Sequence, residues 1–468
     1  MIDLTLWTAL GVMAWGIMVA WFHWKQWGII TPFSGFLIAS VIFVSPGFIH
    51  FYFFYDKAGF AQNALLNASL GLGMATAGGY IAEHWFAQRR YSAWRRPLKA
   101  VRLHYCPRAY LMTAFILMIF VALYFALLGY LPLLEGFRAL LTEGFKPGLV
   151  NTHRVMRDIY VNPDAQYIPL QGLLEAFRYI GMIIVCLWFL HWYRLGYRRR
   201  IATWMMLAAI FWLVATGQRW PLLHLLLACL IYFSITLSTR QFWRVVLTVS
   251  LIGALVGTVL TALLGRTTEQ LTSLLEILYF GGGNLMERIL YGNAVAPVLS
   301  FDLYPGRYPL LYGGSYLQNL LSYLPGPSPS FPVTFNWIVM GDTQGFTAPP
   351  DFYTEAYINF GYMGTALLSF LFGVALAGVT RLALPLLRTL TGVSLYATMT
   401  LYLSMTSSTG VTFFLGWVVV AGAVVGLLQV AVFIERFLGR GSWRREEMQA
   451  DTEKSRLGRP HEKGAIQA

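Results

Sequence analysis

Charge is scarce in this chain. Of its 468 residues only 12% are Asp, Glu, Lys or Arg, with 21 acids against 34 bases. A soluble domain of this length needs far more charge on its surface, so the composition excludes one. Cysteine is scarcer still. Cys106, Cys186 and Cys229 lie far apart, in or beside apolar runs or in a basic loop. They have no CxxC spacing, which argues against a disulfide framework and against a zinc site. His50, His84, His191 and His224 lack HxxxH or HxxE partners, so no bound metal or other cofactor is expected. Also missing is a signal-peptide pattern: the first apolar run carries Asp3, has no basic residue ahead of it and is followed by "HWKQW", which reads as a retained helix.

Apolar sequence is what the chain has in quantity, 57% hydrophobic and 16% aromatic. Runs of about 20 apolar residues can cross a bilayer, and they recur at 4–23, 31–54, 63–86, 110–133, 172–193, 201–217, 221–237, 245–264, 355–380, 390–408 and 411–433. The expected fold is an all-α polytopic membrane protein of about 11 helices, within a range of about 10–12. Residues 1–433 form one transmembrane domain, and the charged tail 434–468 is partly disordered.

Orientation follows from the bases, because short basic loops stay in the cytoplasm. The stretch 88–108 carries seven bases and no acid, and "RLGYRRR" (194–200) carries four. With eleven helices and an external N-terminus, 24 of the 34 bases are cytoplasmic and 14 of the 21 acids external. The charge of +13 therefore reports orientation and some attraction to anionic membrane lipids, and does not argue for nucleic acid.

Two external segments are too long to be connectors, 134–171 and 265–354. In the second, "TEQLTSLLEILYF" (268–280) and "NLMERILYGNAVAPVL" (284–299) read as amphipathic surface helices. Its Pro- and Gly-rich later half reads as an irregular loop that turns sharply and starts a membrane helix. No internal repeat is visible.

The external charges are the functional candidates. Arg154 and Arg157, three apart, share a face if helical and suit a diphosphate. The alternative is local pairing with Asp158 and Asp164. Arg178 sits one turn inside a membrane helix, where it either pairs with Glu175, snorkels, or faces a polar cavity. Arg219, in "TGQRWPLLHLLL", occupies a turn of a few residues between two helices, and Arg266 and Arg288 lie on the same side. Glu355, at the first turns of a membrane helix, has the position of a general base, although an acid at a helix N-terminus also has a purely structural rationale. His153 is the reserve. The glycines 281–283 lack the Lys-Ser/Thr of a P-loop.

Two stretches carry a resemblance. "TGQRWPLLHLLLACLIYF" (216–233) is similar to a Gly-x-Arg turn followed by an apolar helix, and "PPDFYTEAYINFGYMG" (349–364) to a Pro-rich loop running into E-x-Y-x-N-F-G-x-x-G. Both resemble the Wzy-type O-antigen polymerases, relatives of the O-antigen ligases, and the architecture of long external loops between many helices agrees. The resemblance implies a GT-C-like fold in the bacterial inner membrane, with the C-terminus in the cytoplasm. It further implies metal-independent transfer of a growing glycan from undecaprenyl diphosphate to a second lipid-linked oligosaccharide. The family's turn arginine falls on Arg219 and its glutamate on Glu355. A chain-length regulator and a flippase of the same pathway are the further partners it implies. Tyr353, Tyr357 and Trp337 are candidates for stacking on sugars, against their competing role as packing residues. A lipid-linked oligosaccharide flippase and a ligase-type glycosyltransferase are the alternatives. The absence of histidine from 265–354 counts against the ligase.

Overall fold

The structure is a computed structural model, and it describes residues 4–54, 58–86, 107–134, 138, 171–216, 220–263, 275–276, 279, 282–283, 294–324, 330–340 and 349–438. The described residues form helices and connections, with no strand. The helices are α1 (Leu4–Trp27), α2 (Pro32–Ala39), α3 (Ser45–Phe54), α4 (Ala58–Phe86), α5 (Pro107–Leu128), α6 (Gln171–Ala176), α7 (Met182–Arg194), α8 (Arg199–Val214) and α9 (Trp220–Thr236). They continue with α10 (Thr239–Leu263), α11 (Val295–Leu303), α12 (Gly314–Leu321), α13 (Phe331–Met340), α14 (Phe352–Ala383), α15 (Leu390–Thr409) and α16 (Thr412–Leu438). Two π-helical turns, Ser40–Val44 and Phe177–Gly181, join α2 to α3 and α6 to α7 into continuous rods.

Each of the eleven apolar runs falls on a described helix or rod. Among the described residues six stretches are long and apolar enough to cross a membrane: Leu4–Trp27, Pro32–Phe54, Pro107–Leu128, Gly172–Arg194, Phe352–Arg388 and Phe414–Glu435. The chain is thus a polytopic α-helical membrane protein. Its outer surface agrees, since Trp204, Leu251, Met363 and Phe433 are exposed as lipid-facing residues must be. Its interior is unusually rich in small and hydroxyl residues, which let membrane helices approach closely. The α4–α14 pair shows why: a Cβ on Gly373 would strike the Ala75 carbonyl, and one on Gly78 the Phe370 carbonyl.

Local chemistry sets the helix ends. Thr31 and Ser34 form a reciprocal capping box on α2, with Pro32 in the first turn where its missing N–H costs nothing. Asp351 caps α14 by accepting from the Tyr353 and Thr354 amides at 2.9 and 3.0 Å. The region read as an irregular loop before α14 is corrected in part by α13. Its Pro332 sits in the first turn, which tolerates proline, and "FPVTFNWIVM" is apolar enough to pack once the helix has started. Of the expected surface helices, 268–280 lies outside the described residues apart from isolated positions, and 284–299 is described only over 294–299, which enters α11; the loops 88–106 and 139–170 and the tail beyond 438 lie outside the described residues.

Contacts between helix ends define two ends of the bundle. At one, which carries the described bases of 194–200, 240–244 and 381–388, Trp24 of α1 stacks on Phe242 of α10 at 5.1 Å. Arg194 of α7 donates to Thr236 of α9 at 2.6 Å, and Glu435 of α16 accepts from the Ala109 amide at the start of α5 at 2.8 Å. A buried cluster closes this end. Glu83 is paired with Arg381 at 3.1 Å and with His23 at 3.1 Å, and His23 also bonds Thr31 at 2.9 Å. Two bases around one partly buried carboxyl satisfy it inside the protein. At the opposite end, the Leu133 amide after α5 donates to the Ala215 carbonyl after α8 at 2.9 Å. The starts of α6, α9, α14 and α16 and the end of α15 gather around it.

Candidate functional site

Two polar clusters occupy that second end, and α12 touches both. The first is built on a broken helix. Inside α14 the chain leaves helical geometry at Gly361, φ +68°, a left-handed conformation that glycine adopts without cost. The break frees carbonyls that a continuous helix would use, and the segment before α12 takes them: Leu311 and Tyr312 amides donate to the Ile358 and Asn359 carbonyls, both at 3.0 Å.

Asn359 then fixes the entry into α12. Its side-chain oxygen accepts from the Gly313 amide at 2.9 Å, and its amide nitrogen donates to Ser315 Oγ at 2.6 Å and to the Glu355 carbonyl at 2.8 Å. Ser315 Oγ in turn donates to Glu355 Oε1 at 2.9 Å, where Asn319 Nδ2 donates at 3.2 Å. Asn319 Oδ1 accepts from the Phe331 amide at 3.0 Å, which ties α13 to the same point. Glu355 Oε2 receives the Val411 amide at 3.4 Å and lies against Gly410, φ +65°.

Glu355 is 1% exposed. Its carboxyl is held by three neutral donors, two from α12 and one from the α15–α16 connection, and among the described residues no basic side chain pairs with it. A carboxylate offers about four lone-pair sites, so three donors leave room for one further proton donor. Asp351 lies one turn before it, and burial pushes that carboxyl up to about 6 against the hydrogen bonds from Thr354 and Tyr353. The Tyr316 phenol is raised by burial and by the nearby Glu355 charge, and its hydroxyl has no hydrogen-bond partner among the described residues.

The second cluster is built on the π-helical turn Phe177–Gly181. Such a turn rotates the side chains around it out of the ordinary helical register, and Arg178 sits in it with no exposure at all. Arg178 Nη1 donates to the Leu213 carbonyl and to Thr216 Oγ1, both at 2.9 Å, and Nη2 meets Glu175 at 3.5 Å. Tyr124 donates to the same Glu175 oxygen at 3.3 Å. Arg178 therefore pairs with Glu175 and does not snorkel. Its fork closes the C-terminal end of α8. Deeper in, His224 meets Tyr402 edge-on at 5.7 Å, and neither His224 Nδ1 nor the Tyr402 hydroxyl has a partner among the described residues. Tyr323, just beyond α12, reaches across to this cluster and packs on Gly172 and Gly416.

The structure thus brings Glu355 and Arg178 to one end of the bundle. Arg219 lies outside the described residues, as do His153, Arg154, Arg157, Arg266 and Arg288. Of the aromatic candidates, Tyr353 is a core residue. Its hydroxyl bonds Ser40 at 2.8 Å and its ring lies against Gly71 and Phe36, so no face is free for a sugar. Tyr357 stacks on Phe301 at 4.4 Å and donates to the Tyr304 carbonyl at 3.4 Å, which uses its face in the same way. Trp337 is half-buried, and its indole N–H has no partner among the described residues. Ser315, Tyr316, Asn319 and Asn359 were not singled out from the sequence. The one signal available was the polar spacing Ser315–Asn319–Ser322 in an otherwise leucine-rich segment. No known protein family, curated protein or solved structure matches this chain.

Proposed function

We propose that this protein is a polysaccharide polymerase of the O-antigen polymerase type. It transfers a growing glycan from undecaprenyl diphosphate to the terminal hydroxyl of a second lipid-linked oligosaccharide at the outer face of the bacterial inner membrane. In this reading all eleven apolar rods cross the bilayer in a GT-C-like arrangement, with the N-terminus external and the basic end of the bundle in the cytoplasm. The observation that carries the reading is that a buried carboxyl on a broken helix and the end of α8, held by Arg178 through Leu213 and Thr216, lie at the same end of the bundle, opposite the bases. Glu355 and Thr216 lie in the two stretches whose sequence resembles that family.

The roles follow from the chemistry. Arg219, with Arg154, Arg157, Arg266 and Arg288, faces the diphosphate and stabilises the charge that grows on it as the glycosidic bond breaks. Arg178, whose Nη1 and Nη2 are engaged within the protein, holds the end of α8 that leads in sequence to Arg219. Glu355, with its remaining lone pair, takes the proton of the acceptor hydroxyl, and His153 is the second candidate for that step. The flippase alternative would draw on charged groups along a pathway. Of the intramembrane polar groups it would use, Glu83, His84 and His224, Glu83 is satisfied by Arg381 and His23.

The test is reconstitution in lipid with a mixed pool of undecaprenyl-diphosphate oligosaccharides and separation of products by length. A ladder of repeat multiples is expected, abolished by Arg219→Ala and reduced at least about 100-fold by Glu355→Gln, since general base catalysis contributes 10²–10⁴-fold. Lipid-linked glycan that crosses the bilayer without lengthening refutes the polymerase.

A further inference from the structure

The amphipathic pattern of α12 and of the turn 322–324 that follows it is reversed. Ser315, Asn319 and Ser322, at positions i, i+4 and i+7, turn inward: the first two hold Glu355, and Ser322 Oγ donates to the Asn319 carbonyl at 2.8 Å. Leu317, Leu320, Leu321 and Leu324, at i, i+3, i+4 and i+7, turn outward, with Leu317 57% exposed and the other three also open. A helix lying on a protein in water buries its leucines and shows its serines. One whose outer side meets hydrocarbon does the opposite.

The surroundings say which hydrocarbon. The segment leading into α12 is hydrogen-bonded to α14 at Ile358 and Asn359, and Gly313 lies beside the Phe360 ring. From there α14 presents Phe360, Met363, Leu367 and Leu371 outward, Met363 81% exposed, on a helix long and apolar enough to span the membrane. The leucine row of α12 continues that lipid-facing flank around the end of the bundle.

We propose that α12 is immersed in the acyl-chain region of the bilayer, its leucine row in direct contact with lipid tails and its polar row closing the Glu355 cluster from the membrane side. This holds whatever reaction the cluster performs, because it rests on the membrane character of the chain and on the reversed helix alone. An interfacial helix of this kind binds by buried apolar area. Its consequence is that the Glu355 carboxyl is separated from lipid by the thickness of a single helix, so a group carried on a lipid reaches it laterally.

The experiment uses the unmodified protein in nanodiscs of phosphatidylethanolamine and phosphatidylglycerol containing a trace of phosphatidylcholine with a diazirine in its acyl chain. After irradiation and proteolysis, adducts are mapped by mass spectrometry, with Leu367 and Leu371 as references in the same digest. Adducts on Leu317, Leu320, Leu321 and Leu324 within about threefold of the reference yield are expected. Adducts on α14 with the 314–324 peptide unlabelled would overturn the proposal, whether water, a second copy or another part of this chain covers the row. Loss of polymerase activity has no bearing on this outcome, so the two readings fail separately.

Discussion

Removing the Arg178 side chain tests whether the second cluster is a structural clamp. In Arg178→Met the apolar stem is retained, while the two bonds from Nη1 to the Leu213 carbonyl and Thr216 Oγ1, each 2.9 Å, are lost. Hydrogen bonds to a charged group contribute about 1.5–3 kcal/mol each, which sums to about 3–6 kcal/mol. Glu175, whose side chain is 16% exposed, is left with Tyr124 as its donor among the described residues, and breaking a buried ion pair from one side typically costs about 3–5 kcal/mol. The two routes describe overlapping losses, and we expect about 3–5 kcal/mol in all. Part of that cost is the stranded carboxylate, so Arg178→Met combined with Glu175→Gln is expected to recover at least about 1 kcal/mol. Arg178→Lys should fall between, since an ammonium keeps the charge but cannot fork to two acceptors. The assay is unfolding in mixed micelles titrated with SDS and followed by near-ultraviolet circular dichroism. A single variant within about 1 kcal/mol of wild type, or a double variant no better than the single, would refute the clamp.

Two other perturbations probe neighbouring features. Gly410→Ala places a Cβ in the left-handed region at φ +65° and against the Glu355 carboxyl; it is expected to lower folded yield severely, whereas Gly378→Ala, with open space around it, leaves the yield unchanged by fluorescence-detected size exclusion. Glu83→Gln removes the common partner of Arg381 and His23 and should cost about 3–5 kcal/mol in the SDS titration; a loss below about 1 kcal/mol would show that the cluster does not close the basic end.

The helices were legible in the sequence because lipid imposes one requirement on every spanning segment. Backbone groups must be satisfied internally and the outer surface must be apolar, so length and hydropathy locate the rods without knowledge of their neighbours. Glu355 was legible for a similar reason: a first-turn acid is a local signal. What was not legible is everything that depends on where a helix turns its other side. Tyr353 and Tyr357 have the same residue type and nearly the same position as a sugar platform, yet the pairing of α14 with α4 and α11 commits their rings to packing. The π-helical turn at Arg178 and the break at Gly361 shift the register on which any helical-face argument rests.

The segment 311–324 shows most clearly how a local pattern acquires its meaning from its surroundings. Read alone, its leucines suggest a helix laid leucine-down on the bundle, with Ser315 and Asn319 in solvent. Glu355 reverses it. A buried carboxyl with no basic partner among the described residues needs neutral donors, and leaving it without them costs more than exposing four leucines, provided that the leucines meet lipid. In water the same reversal would carry a penalty of about 1.5–3 kcal/mol for each leucine denied burial, comparable with what the donors return. The polar face of α12 and the hydrocarbon outside it are thus parts of one solution, and Leu317→Glu with Leu320→Glu should separate them. In bilayers charge on this row is expected to pull α12 from Glu355 and raise hydrogen exchange at residues 311–324 at least about tenfold, one decade for each 1.4 kcal/mol. Unchanged protection there would mean that the helix is held by its hydrogen bonds alone and that the lipid contributes nothing to the cluster it covers.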